Sequence, residues 1–122
     1  MKRLPLVLFG GTLIAVTWLA LTPRPPPLPG TTNDKVNHFV AFVVLAFLFD
    51  WAYPRLRLWT GKLPLLLAYG LAIEILQAFI PNRDCSLADW LTDAAALLVY
   101  GVGVVPLWRR VAIRWPRMNR ER

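Results

Sequence analysis

Long apolar runs alternate with short polar or proline-rich breaks along this chain. Four runs stand out, at residues 4–22, 35–53, 63–80 and 89–108. A helix rises about 1.5 Å per residue, so each run is of the length that crosses a hydrocarbon core of about 30 Å. The pattern predicts an all-α membrane protein: a four-transmembrane-helix bundle forming one domain over residues 1–122, with a basic tail at 109–122.

The breaks carry their own signals. PRPPPLPG (23–30) is a stiff, extended linker, because consecutive prolines exclude helix. Asp34 is placed to cap the second run. Ser86 and Asp89 form an S-x-x-D pattern that would cap the fourth. Pro64 suits the start of the third run, where its missing N–H costs nothing. Pro81 should stop that run, and Pro106 with Arg109 and Arg110 should close the fourth. Gly10, Gly11, Gly101, Gly103 and residues 94–96, all Ala, would let helices approach closely. The first run follows Met-Lys-Arg, as a signal peptide would. Trp18 and Leu19 stand where a cleavage site wants small residues, so a retained span is expected.

Composition strengthens the membrane reading: 57% of residues are hydrophobic and 17% charged, against about 45–50% and about 25% in soluble domains. The net charge of +7 would suit nucleic acid, but no stripe of base-stacking aromatics accompanies the arginines. The basic residues instead cluster at the ends of the apolar runs. Eleven of the fourteen fall on one side of a four-span topology: Lys2, Arg3, Arg55, Arg57, Lys62 and the Arg-rich tail. Arg24, Lys35 and Arg83 fall on the other. That asymmetry predicts both termini in the cytoplasm. Cys85 is the single cysteine, so no internal disulfide is expected.

Polar residues inside apolar runs need a reason, since ionisable groups there are costly. Glu74 lies about 9 Å below the end of the third run, and His38 about 6 Å into the second. Asp93 is one turn into the fourth. Gln77 is one turn beyond Glu74 on the same face. The shared level makes His38, Glu74 and Asp93 a candidate site, rimmed by Lys35, Arg83 and Asp89. Structural roles stand beside this reading. Asp34, Ser86 and Asp89 can be caps, Arg83 can pair with a nearby acid or a lipid phosphate, and His38 can bond a backbone carbonyl. Glu74 can hold helices together through His38 or Arg83, and Asp50 can reach water at its own end. No H-E-x-x-H or Cys–His spacing occurs, so no metal or cofactor is expected. No G-x-S-x-G elbow occurs either. Glu74 and His38 are the candidates for acid/base work, with binding and catalysis both open.

Two blocks, D34-K-V-N-H38 and E74-I-L-Q77-A-F-I-P-N-R83-D-C-S86-L-A-D89, resemble the VanZ-like family of small bacterial membrane proteins. The resemblance covers about residues 34–103. It implies functional positions at Asp34, Lys35, His38, Glu74, Gln77, Arg83, Ser86 and Asp89. It implies a multi-pass protein of the bacterial inner membrane. The family is named for a protein linked to low-level teicoplanin resistance. Its pattern continues with Asn and Gly where this chain has Asp93 and Ala96. Membrane lipids and a lipid-linked cell-wall precursor are the partners expected. The alternatives are a structural or interaction protein whose polar cluster only locks the bundle, and a membrane-embedded acid/base enzyme.

Overall fold

The computed structural model describes residues 3–22, 34–81 and 87–111, without the side chains of residues 34 and 35. Everything described is helix or short turn. The helices are α1 (Arg3–Leu21), α2 (Asp34–Ala52), α3 (Leu58–Gln77) and α4 (Leu87–Val111). α1, α3 and α4 are long and apolar enough to cross a membrane, and the apolar part of α2, Val36–Ala52, is shorter.

Helix α2 is the hub, packing against α1, α3 and α4, while α3 also packs on α1 and α4. Its buried stripe is Phe42, Leu45, Ala46 and Phe49, the i, i+3, i+4, i+7 spacing of one helical face. Leu63 and Leu66 of α3 and Ala96, Leu97, Tyr100 and Val105 of α4 complete this core. The opposite faces expose large apolar side chains along every helix, among them Ile14, Val40, Leu65 and Leu98. A water-soluble monomer rarely carries so much contiguous apolar surface, and a lipid-facing one must. α1 is the outlying helix: Pro5 is its one buried residue. It is pinned to α2 by the Phe9 ring, which stacks on Phe49 at 4.8 Å and meets Tyr53 edge-on.

Pro64 stands in the first turn of the α-helical segment Leu63–Gln77, as expected, but that segment continues from a π-helical turn, Leu58–Lys62, so α3 starts upstream at Leu58. The expectation for Pro106 is corrected: it does not end a helix, because α4 passes through it to Val111 after a second π turn, Tyr100–Val104. In both helices the proline follows the π turn by two residues. A proline ring crowds the carbonyl four residues back and offers it no N–H. A locally widened turn relieves that crowding, and the helix continues instead of breaking. The π turns also pack together. A Cβ at Gly101 would stand 2.6 Å from the Trp59 indole, so the glycine is what admits that ring. Gly10, Gly11 and Gly103 have open space above them. Arg109 and Arg110, assigned to the tail from sequence, belong to α4; residues 112–122 lie outside the described residues.

The earlier start of α3 moves Lys62 from a basic connection into the bundle, where it is 1% exposed. Its ammonium donates to Asp50 Oδ1 and, at 3.1 Å, to the Tyr53 carbonyl. The Tyr100 hydroxyl donates to Asp50 Oδ2 at 2.8 Å. Asp50 is therefore the centre of a three-helix tie as well as a residue near the chain's polar edge. Breaking a buried ion pair costs about 3–5 kcal/mol because the partner charge is stranded. The Asp50 side chain keeps 32% exposure, which moves the expected loss for Lys62→Met to the lower end, about 3 kcal/mol. Adding Asp50→Asn should recover most of it. Reversible unfolding of the single and double variants in detergent measures this, and a double variant no more stable than Lys62→Met would refute the tie.

Candidate functional site

Depth along a helix does not fix direction, but the buried stripes do. On α2, His38 precedes Phe42 by four residues and continues the core stripe. On α3 the buried positions are Leu63, Leu66, Gly70, Ile73, Glu74 and Gln77, again at helical spacing. On α4, Asp93 precedes Ala96, Leu97 and Tyr100 on the buried side. Three helices thus point His38, Glu74 and Asp93 into the bundle at one level. One ligand atom from each lies within 4.8 Å of those from the other two.

Within this group His38 Nδ1 and Asp93 Oδ1 are 3.1 Å apart and share a hydrogen bond. Asp93 is 1% and Glu74 3% exposed, whereas the His38 side chain retains 18%. The imidazole is the least buried member. The charges of Asp93, Asp89 and Glu74 all act on its ring. Asp89 sits in the first turn of α4, where the helix dipole favours an acid.

Gln77 has a different task. It is 3% exposed, and its side-chain amide donates to the Ala20 carbonyl at 2.9 Å, tying α3 to the end of α1. Of the remaining sequence-derived positions, Asp34 and Lys35 begin α2, with side chains outside the described residues. Arg83 and Ser86 fall wholly outside the described residues, as does Cys85.

Gly70 is a site residue the sequence reading passed over. A Cβ there would meet Asp93 Oδ2 at 2.9 Å and the Phe42 ring at 3.1 Å. Its lack of a side chain lets the Asp93 carboxylate sit against α3. The signal was present: Gly70 is four residues before Glu74, on the same face. Beside it, Tyr69 shares a hydrogen bond with Thr17 of α1. Tyr69 also borders an open apolar groove of about 590 Å³ lined by Leu13, Ile14, Thr17, Trp18, Leu21 and Thr22. The groove runs along the C-terminal half of α1, the half whose end Gln77 holds.

No family model matches the chain, and no solved structure matches it. It is similar to the uncharacterised protein C11E3.10 of the fission yeast Schizosaccharomyces pombe. The two are 32% identical over 91 residues, covering 72% of this chain. The chain spans 54% of the yeast protein's length.

Gly70→Ala measures how tightly the site is packed. Alanine would gain about 1 kcal/mol in helix propensity, but the crowding of Asp93 and Phe42 should cost about 1–3 kcal/mol. A net loss of thermal stability in detergent is expected. Gly103→Ala, facing open space, should be neutral or stabilising. Equal behaviour of the two would mean that Asp93 does not depend on the gap at Gly70.

Proposed function

We propose that this chain is a VanZ-like, four-span protein of the bacterial inner membrane, with both termini cytoplasmic. In this reading its outward-facing polar pocket recognises the headgroup of an anionic envelope lipid or lipid-linked cell-wall precursor. Glycopeptide resistance would then follow from a change in such a ligand's handling.

The observation that carries the reading is the convergence of His38, Glu74 and Asp93 from three helices, with the half-open His38 at its rim. Ionisable groups at such depth mark ligand or ion pathways far more often than indifferent surface. The apolar groove supports it further, since Tyr69 in its wall is next to Gly70, which touches Asp93. An acyl chain in the groove would bring its headgroup to the polar end of the bundle. Lys35, one turn before His38, and Arg83, shortly after α3, are the basic residues a phosphate would meet. Arginine suits that role through paired hydrogen bonds. The Lys and Arg asymmetry supports the orientation, and it keeps its sign after Lys62 is withdrawn as a buried, paired residue.

A second reading has an observation of its own. The His38–Asp93 hydrogen bond joins α2 to α4, so the cluster could serve only to lock the helices. Lipid mass spectrometry separates the two. Wild-type protein, gently purified, should carry one anionic lipid or precursor in excess, and both Glu74→Gln and Arg83→Ala should lose it at equal folded amounts. Absence of enrichment in the wild type, together with a less stable Glu74→Gln, would leave the locking role and remove the ligand.

A further inference from the structure

We propose that His38, Glu74 and Asp93 bind a divalent transition-metal ion of the zinc, iron(II) or manganese class. This site does not depend on the lipid reading. It rests on donor chemistry, geometry and support.

The donor set is one imidazole and two carboxylates, a mixture that suits these ions. One donor atom from each residue lies within 4.8 Å of the other two. Around an ion with bonds of about 2.0–2.2 Å, neighbouring ligand atoms stand about 3–3.6 Å apart. The His38–Asp93 separation, 3.1 Å, is already in that range. Glu74 has a long side chain, and a change of rotamer can close the remaining gap.

Burial favours a cation of charge two. Glu74 and Asp93 are almost wholly withdrawn from the surface, and a dication coordinates both carboxylates at once while the imidazole binds neutral. Asp89, one turn before Asp93 on α4, adds negative charge that acts on the His38 ring. His38 is the least buried of the three, with 18% of its side chain exposed.

The frame is rigid. Each ligand stands on a different helix within a packed stripe, and Gly70 with Phe42 shapes the wall against Asp93. Ligands held on helices keep their geometry better than ligands on loops. A motif search overlooks this set because its members, at positions 38, 74 and 93, come from three helices and have no short spacing. Three protein ligands leave at least one position for water or an anionic oxygen, which is the kind of group a phosphate headgroup offers.

The test uses the full chain in neutral detergent or phosphatidylcholine nanodiscs, stripped with chelator and then titrated with zinc, manganese or cobalt(II) chloride. Wild type should retain one ion per chain after desalting and unfold at higher temperature with it. Cobalt should give the visible absorption of an ion held by nitrogen and oxygen ligands. Asp93→Asn keeps an oxygen for His38 but removes the charge, so it should bind at least about tenfold more weakly. His38→Gln should abolish the cobalt spectrum, and Gly103→Ala should change nothing. Wild type that retains no ion under excess of all three metals overturns the proposal. So does equal retention by wild type and Asp93→Asn. Should the variants fail to fold, the wild-type cobalt spectrum alone decides. No anionic lipid is in the assay, so metal binding and lipid capture can fail separately.

Discussion

Charged groups buried between apolar helices have no water to turn to, so each must be met from a neighbouring helix. In this chain that requirement fixes how the helices slide against each other. His38 and Asp50 are twelve residues apart on α2, and Lys62 and Glu74 are twelve apart on α3. Both intervals are about 18 Å. Antiparallel α2 and α3 therefore bring Asp50 to Lys62 at one end and His38 to Glu74 at the other, in a single register. α4 meets the same two levels with Asp93 and Tyr100. They are only seven residues apart, and the length of the tyrosine side chain makes up the difference.

The close approach that these contacts need comes from two glycines and two prolines. Gly101 admits Trp59, and Gly70 admits Asp93. Pro64 and Pro106 each follow a π turn, and those turns bring Trp59, Lys62, Tyr100 and Gly101 to the same end of the molecule. α1 stands apart from this arrangement. It is held by the Phe9 stack at one end and by Thr17 and Gln77 at the other, and between these points it leaves an apolar groove.

Much of this was legible in the sequence for a simple reason: apolar runs and their breaks are one-dimensional signals. The helices begin and end within a few residues of the expected positions, apart from the two that run through a proline. The common level of His38, Glu74 and Asp93 was legible too, because rise per residue converts position into depth. Direction was less so, although the i, i+3, i+4 stripe through His38, Phe42, Leu45, Ala46 and Phe49 carries it. The Asp50–Lys62–Tyr100 tie was not legible. Lys62 reads as part of a basic connection unless the helix is known to start before Pro64, and the proline that accompanies the π turn equally marks a helix start. Gly70 carried a positional signal, four residues before Glu74 on the same face, but a glycine within an apolar run does not itself show that it faces a carboxylate.

The two polar levels differ in a way that bears on function. At the Lys62 end one ammonium meets one carboxylate, and a hydroxyl and a backbone carbonyl complete the set. Charges cancel there, the ammonium is sealed, and nothing in that chemistry asks for a further partner; it is what a structural tie requires. At the His38 end the described side chains bring together two carboxylates and one imidazole, and the imidazole is the least buried of them. A tie between α2 and α4 needs only His38 and one acid. The second deep carboxylate, Glu74, is not part of that tie, and its charge acts on the His38 ring. The same comparison assigns Gly70 its role. At the Lys62 end glycine makes room for an apolar ring, while at the His38 end it makes room for an acid, keeping the Asp93 carboxylate beside His38.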